Sequence, residues 1–219
     1  MITQATERGT IYTLGELQEI SNLARACGLR LHMDGARFSN ALVELGVTPA
    51  EMSWKSGVDI LTFGTTKNGT MNAEAVKTFD PKLAYKLRFL QKRAGFLVSK
   101  MRFVAAQLLS YLEDDLWQKN AKAANQVAKR VSEAIEATPG SQLIFPVETN
   151  QVFAAFSKDQ VAQLREDDFN LRPWPLKEKR NAHRMVFSYH EDTIAISRLV
   201  DCFRRTQGRD FDKIHKTQR

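Results

Sequence analysis

Two residues with reactive side chains follow two predicted strands of this chain. Lys67 lies in the glycine-flanked turn GTTKNG, residues 64–69, directly after the apolar run 58–63. Asp34 follows the apolar run 29–33 and stands 33 residues before Lys67. In an open α/β sheet, side chains just past the carboxyl ends of the strands converge on one crevice where ligands bind. The spacing therefore predicts that an acid and an amine meet at the same edge of a sheet.

An amine beside a carboxylate suits the chemistry of pyridoxal 5'-phosphate (PLP). The cofactor needs an amine to hold its aldehyde as a Schiff base, and a carboxylate to keep its ring nitrogen protonated so that the ring accepts electrons. Lys67 would supply the first group and Asp34 the second. The ordinary alternative is a solvated turn lysine and an aspartate that caps a helix over residues 37–45. The two residues and their spacing leave both interpretations open.

Longer motifs around both residues carry a family resemblance. Residues 31–41 read LHMDGARFSNA and residues 62–69 read TFGTTKNG, accompanied by QATERGTIY at 4–12, KRAG at 92–95 and SKMRF at 99–103. These segments resemble the threonine aldolase and β-eliminating lyase family of fold-type I PLP enzymes, and the likeness extends to about Arg205. Several independent segments in the right order are more specific than one short motif. The resemblance favours the cofactor interpretation of Lys67 and Asp34.

The resemblance implies roles for the residues around the cofactor. Lys67 is the catalytic residue that holds the cofactor as a Schiff base, and Asp34 meets its ring nitrogen. The other cofactor-binding candidates are Arg37 at the phenolic oxygen, Thr65 and Thr66 at the phosphate, and Arg102, which reaches the phosphate across a subunit interface. The alternatives are a surface arginine at position 37 and an ordinary helix-face cation at position 102.

The resemblance also implies a clamp for the carboxylate of the substrate. Arg184 matches the position of this clamp, and Arg37 is a second candidate for it. A planar guanidinium grips both carboxylate oxygens at once, which a lysine cannot do. His183 and Arg180 are alternative matches to the Arg184 position. His32 is expected to be a packed strand residue, because its neighbours alternate between apolar and polar.

The activity that the resemblance implies is cleavage of L-threonine, or of a related β-hydroxy-α-amino acid, to glycine and an aldehyde. The base that takes the hydroxyl proton is not identified by the sequence. One alternative is PLP-dependent β-elimination, because the same electron sink serves the breaking of either bond. The family also implies a homo-oligomer, either a dimer or a tetramer.

A further alternative concerns the beginning of the chain. Family members carry a stretch before the position of Met1, with a Gly-Thr phosphate loop and an aromatic residue that stacks on the cofactor ring. Neither feature occurs in this sequence. The resemblance therefore leaves open a truncated, catalytically impaired remnant, which would bind PLP weakly because a phosphate is usually held by several backbone N–H groups at a helix start.

Composition excludes several other classes of protein. The 219 residues have 43% hydrophobic and 26% charged residues, as in ordinary globular domains. No apolar run approaches the roughly 20 residues of a membrane span, and the first ten residues lack a secretory signal. The net charge of +7 is spread over the chain, so we expect no nucleic-acid partner. Cys27 and Cys202 lack metal-ligand spacing, and we expect no metal, two reduced thiols and a cytoplasmic location.

The order of elements predicts an α/β fold in two parts. Residues 1–105 would form the back half of a fold-type I PLP-binding large domain, with a parallel sheet. Residues 106–207 would form a small carboxyl-terminal α/β domain with a long connecting helix, and residues 208–219 a polar, disordered tail. The expected helices cover 14–27, 37–45, 159–167 and 193–205, with a helix start at Thr48 and two helices that meet near Gly95, the second reaching residue 137. The expected strands cover 29–33, 58–63, 73–79, 151–156 and 184–189, with an extended stretch over 171–176.

Overall fold

The structure, a computed structural model, describes residues 1–175 and 181–216, and for 206–216 it describes the backbone alone. The chain divides into two compact units, Met1–Glu7 with Ile11–Lys122 and Arg8–Thr10 with Ala123–Arg219. The units part after Lys122, whereas the domain boundary predicted after residue 105 falls inside a helix. Among the helices of the described residues, none combines the length and hydropathy that crossing a membrane requires.

Four strands form the sheet of the first unit. They are β1 (Ile2–Thr3), β2 (His32–Gly35), β3 (Ile60–Gly64) and β4 (Glu74–Thr78), in the order β1-β2-β3-β4. The first three strands run parallel, and β4 runs antiparallel to β3. The parallel sheet expected from the sequence is therefore confirmed for β1, β2 and β3 and wrong for β4. Residues 65–73 are too few for the crossover connection that a parallel neighbour requires, whereas they suffice for an antiparallel return.

In the first half of the first unit, the helices begin and end close to the predicted positions. They are α1 (Leu14–Ala26), α2 (Phe38–Leu45), α3 (Pro81–Arg93), α4 (Arg102–Leu112) and α5 (Leu116–Glu136), the last of which continues into the second unit. A capping box between Thr13 and Glu16 satisfies backbone N–H groups at the start of α1. The core packs one face of the sheet against α1 and α2, and Leu17, Met33 and Phe38 are fully buried in it.

The long second helix expected from near Gly95 to residue 137 is wrong. Residues 94–101 lie outside any α-helix, and α4 and α5 are separated at Asp114 and Asp115, whose φ angles are 50° and 57°. The apolar repeat continues through the break, so its period gives no sign of it. Aspartate enters the left-handed backbone region more readily than most residues. The three consecutive acidic residues at 113–115 include two aspartates, and these stand at the break.

The helix expected to start at Thr48 is also wrong. Thr48 and Glu51 form the hydrogen bonds of a capping box, but only turns and the 3-10 segment Trp54–Ser56 follow. The hydroxyls of Ser53 and Ser56 donate to backbone carbonyls of Pro49 and Glu51, which competes with helical bonding. Gly57, at a φ of 88°, then ends the segment.

The second unit contains a second sheet of four strands. Its elements are β5 (Gln142–Leu143), β6 (Gln151–Ala155), α6 (Lys158–Glu166), β7 (Arg172–Pro173), β8 (Ala182–Val186) and α7 (Thr193–Lys216), and the antiparallel strand order is β5-β6-β8-β7. The stacked rings of Phe156 and Phe203, 5.5 Å apart, join the sheet to α7 in the core. Helix α7 continues past Gly208 to Lys216, although the sequence predicts a disordered tail there. One glycine inside a helix costs only about 1 kcal/mol, so Gly208 does not end it. The end of the predicted stretch 171–176, Leu176, lies outside the described residues.

Candidate active site

Asp34 lies within β2 and not just past its end as predicted. Its backbone pairs with Thr3 on one side and Thr62 on the other, which extends the strand to Gly35. Its carboxylate is half-buried, and Oδ1 accepts a hydrogen bond of 3.0 Å from the backbone N–H of Ala36. Asp34 does not cap α2, because Arg37 occupies the N-cap position. Oδ2 forms no hydrogen bond to the described residues, so half of the carboxylate is available to a ligand.

Two glycines allow the strand ends of β2 and β3 to approach each other closely. A Cβ atom on Gly64 would lie 2.6 Å from Cα of Ala36, and one on Gly35 would lie 2.7 Å from the carbonyl oxygen of Thr62. Real Cβ atoms essentially never come that close to backbone atoms. The approach places the segment 34–37 beside the segment that leads to Lys67.

Lys67 is exposed in the 3-10 turn Thr66–Asn68, which follows β3 directly. Its ammonium group forms no ion pair with any residue in the described part of the chain. The two threonines before it differ in their environment. Thr65 is fully buried, and its hydroxyl contacts that of Thr70 at 2.8 Å and donates to the carbonyl of Ala73. Thr66 is exposed, and its backbone N–H donates to Oε1 of Glu74 at 3.2 Å.

A buried hydrogen-bonded cluster lies behind the lysine turn, and it was not predicted from the sequence. Nδ2 of Asn68 donates to the Tyr111 hydroxyl at 2.5 Å and to the Trp117 carbonyl at 2.8 Å. The Asn68 carbonyl accepts from Nδ2 of Asn120 at 2.9 Å, and the Tyr111 hydroxyl lies 2.9 Å from Oγ of Ser39. Burial raises the pKa of Tyr111, so its hydroxyl keeps its proton. The only signal in the sequence is the position of Asn68 next to Lys67.

The two other predicted arginines of the first unit occupy different settings. Arg37 is half-buried at the start of α2, three residues after Asp34. Arg102 begins α4 in an exposed position, and its guanidinium lies 4.6 Å from the ring centroid of Phe103. Gln107, further along α4, accepts hydrogen bonds from the backbone N–H groups of Met71 and Asn72. Helix α4 is therefore tied to the loop after Lys67, while the guanidinium of Arg102 contacts its own neighbour.

Arg184 lies in β8 of the second unit on an aromatic face of the sheet. It donates to Oε1 of Gln151 at 2.6 Å, and its guanidinium lies 5.1 Å from the ring centroid of Trp174. Its Nε is buried without a hydrogen bond to the described residues. Burial, followed by the charge of Arg172, lowers the pKa of Arg184. This guanidinium therefore retains a donor for a further acceptor.

The two alternatives to Arg184 differ in what the structure says of them. His183 points to the opposite, core-facing side, where its ring lies 5.8 Å from that of Phe156 and its Nδ1 contacts the Asn181 carbonyl at 2.9 Å. Burial lowers the pKa of His183, so the neutral imidazole is favoured. Arg180 lies outside the described residues. His32 is a half-buried strand residue, as expected, and its Nε2 lies 2.8 Å from Oγ1 of Thr62.

Known proteins resemble this chain over most of its length. The family described as β-eliminating lyase matches residues 1–159. The low specificity L-threonine aldolase of Pseudomonas aeruginosa is 49% identical over 164 residues, which are 75% of this chain and 47% of that protein. The low-specificity L-threonine aldolase of Candida albicans is 26% identical over 148 residues, 68% of this chain and 38% of that protein. The chain thus spans about half the length, or less, of the curated relatives it matches.

Solved structures show the same relationship. A threonine aldolase from Leishmania major superposes with a TM-score of 0.83 at 29% identity, covering 93% of this chain and 59% of that one. A PLP-dependent aminotransferase from Streptococcus suis superposes with a TM-score of 0.67 at 14% identity, covering 95% of this chain and 56% of that one, and it supports the fold alone. The α/β fold and the match over residues 1–159 show that this chain belongs to the β-eliminating lyase family.

Proposed function

We propose that this chain takes part in PLP-dependent cleavage of L-threonine and related β-hydroxy-α-amino acids to glycine and an aldehyde. The observation that carries the proposal is the contact of Gly64 with Ala36, which places the Lys67 turn beside the Asp34 segment. The 49% identity to a low specificity L-threonine aldolase supports the choice of reaction. β-Elimination is the competing reaction, since both need an amine and an acid around the same electron sink.

The residues at the strand ends suit the polar groups of PLP. Lys67 offers an exposed amine with no competing ion pair among the described residues, and this amine would hold the cofactor aldehyde covalently. Oδ2 of Asp34 is available to keep a proton on the ring nitrogen, while Oδ1 is held by the backbone N–H of Ala36. The bound cofactor supplies an electron sink for the bond that breaks. Arg37 would contact the phenolic oxygen or the substrate carboxylate.

The phosphate of the cofactor would be held by hydroxyl and cationic side chains of the first unit. Thr66 is the better donor of the two threonines, because it is exposed and its hydroxyl makes only a long bond of 3.4 Å to the Ala73 carbonyl among the described residues, whereas the hydroxyl of Thr65 is buried and held within the turn. Arg102 is a second candidate, since its exposed guanidinium lies against the Phe103 ring and makes no ion pair with a residue that the structure describes. Thr65 then acts through the turn, where its buried hydroxyl ties Thr70 and Ala73 together.

Arg184 would bind the carboxylate of the amino acid. Its planar guanidinium can donate two parallel hydrogen bonds, which fix the orientation of the substrate as well as its charge. Orientation matters because the bond aligned with the electron sink is the one that breaks. The hydrogen bond that Arg184 donates to Gln151 and the contact with the Trp174 ring limit the rotation of the guanidinium before the substrate arrives.

Assembly and location are part of the proposal. We propose a homo-oligomer, supported by large exposed apolar residues on α3 and the following loop, namely Tyr85, Phe89, Phe96 and Leu97. We also propose a cytoplasmic location. Two free cysteines, one of them exposed, suit a reducing compartment.

The experiment that tests the proposal traps PLP on the protein. The 219-residue chain is incubated with PLP, reduced with borohydride and digested, and the labelled peptides are mapped. We expect the label on Lys67, and its loss in Lys67→Arg. Label on other lysines with Lys67 unmodified would reject the assignment. Release of glycine and acetaldehyde from L-threonine, against release of ammonia and a keto acid from serine, distinguishes aldol cleavage from β-elimination.

A further inference from the structure

The polar cluster behind the lysine turn is shielded from water. Tyr111 is 2% exposed, Ser39 1% and Asn68 4%, so each of their polar groups needs an internal partner. The cluster lies within the first unit and joins four segments of it, namely α2, the lysine turn, α4 and the start of α5. None of its members belongs to the residues assigned above to cofactor or substrate.

The direction of each hydrogen bond in the cluster follows from its donors. Only the amide NH₂ of Asn68 can donate to the Trp117 carbonyl, so the same NH₂ also donates to the Tyr111 hydroxyl. The hydroxyl of Tyr111 is thus an acceptor toward Asn68, which leaves its single proton for a bond to Oγ of Ser39, 2.9 Å away. The result is one continuous chain of bonds, from Asn68 through Tyr111 to Ser39.

This chain connects the two parts of the candidate active site. Asn68 is the residue directly after Lys67, and its side chain and carbonyl are both held. Ser39 is in the first turn of α2, two residues after Arg37 and five after Asp34. A shift of the lysine turn relative to the aspartate segment would break the bonds of Tyr111, because among the described residues only the Tyr111 hydroxyl bridges Asn68 and Ser39.

We propose that Tyr111 is a positioning residue, which holds the backbone of the Lys67 turn in place relative to the Asp34 segment, so that both residues can reach one PLP molecule. The inference rests on the proposed function of Lys67. Tyr111 itself contacts neither residue in the structure. Its effect passes through Asn68 on one side and Ser39 on the other.

The test compares Tyr111→Phe with the parent chain and with Ser21→Ala. The phenylalanine keeps the ring packing and removes the bridging hydroxyl. Ser21 is also buried, and its hydroxyl donates to the Gly57 carbonyl at 3.3 Å, so its replacement removes one buried hydrogen bond elsewhere in the same unit. Each protein is titrated with PLP at a temperature where circular dichroism shows it folded, then reduced with borohydride. The measured quantity is the label on Lys67 relative to the label on the other lysines.

We expect Tyr111→Phe to lower the relative labelling of Lys67 by about 3- to 10-fold, the effect of losing one buried hydrogen bond. Ser21→Ala should leave this ratio unchanged, even if it lowers the melting temperature as much as Tyr111→Phe does. Equal Lys67 labelling in Tyr111→Phe and the parent would overturn the positioning role and leave the proposed function intact. Absence of preferential Lys67 labelling in the parent would overturn both.

A second variant covers the case in which Tyr111→Phe does not fold. Ser39→Ala removes only the far end of the chain of bonds and keeps the tyrosine. It should lower the relative labelling of Lys67 in the same direction and by a smaller factor. A folded Ser39→Ala protein with the labelling ratio of the parent would contradict the proposal.

Discussion

A methyl group added at Gly64 tests how the two parts of the site are brought together. In Gly64→Ala, the new Cβ would lie 2.6 Å from Cα of Ala36 and 3.1 Å from its carbonyl carbon and oxygen. Ordinary contact begins near 3.4 Å, so the strand ends must separate by about 0.8 Å. All three contacts are with backbone atoms, and no rotamer change can relieve them. Such overpacking costs about 1–3 kcal/mol of unfolding free energy.

The assay is denaturant unfolding of Gly64→Ala beside a matched control, Gly15→Ala. Gly15 lies in α1, and a Cβ there would meet nothing closer than Oγ1 of Thr13 at 3.9 Å. Alanine at this exposed helical position should stabilise the chain by about 0.5–1 kcal/mol. The same substitution thus shifts the midpoint in opposite directions at the two sites. A Gly64→Ala protein as stable as the parent, with unchanged Lys67 labelling, would refute the close approach as the feature that assembles the site.

Three further outcomes are expected. Asp34→Asn retains an oxygen for the Ala36 N–H and removes the charge, so the protein should fold while turnover of L-threonine, assayed as glycine release, falls by about 100-fold or more; near-normal turnover would exclude the role of Asp34. One equivalent of a thiol reagent should modify exposed Cys27 and spare buried Cys202 in the folded chain, as peptide mapping would show. Burial raises the pKa of Cys202 from 9.0 to about 11, so the folded state favours the neutral thiol. The stability that the buried thiol contributes is complete below pH 9 and is lost as the pH rises toward 11. In unfolding measurements, Cys202→Ala should reduce this loss.

The motifs predicted which two segments meet, but not the contacts that bring them together. The segments around Asp34 and Lys67 indicated an acid and an amine at neighbouring strand ends, and the structure places these segments side by side. The residue types at Gly35 and Gly64 were visible, but the contacts that require glycine there depend on the packing of two strands. Sequence spacing carries no information on such a distance.

Each mispredicted element has its own physical cause. The apolar repeat of α4 continues into α5 past the break at Asp114, with the buried residues Tyr111 and Trp117 on either side of it, so periodicity does not indicate where the helix is interrupted. Thr48 does form capping bonds, with Glu51, but serine hydroxyls and Gly57 prevent a helix from continuing after them. The antiparallel direction of β4 is another case, because the short connection between β3 and β4 would by itself have predicted it.

Buried neighbours explain how an exposed lysine can hold a defined position. A lysine side chain has about 1.5–2 kcal/mol of rotamer entropy to lose on binding, and nothing in the described residues fixes the ammonium group of Lys67. What is fixed is the backbone that carries it, through the buried hydroxyl of Thr65 on one side and the amide and carbonyl of Asn68 on the other. The amine of Lys67 therefore remains free to react, while the Cα atom of the residue keeps its position relative to β2. This division of roles accounts for a turn in which Lys67 is exposed and its supports are buried.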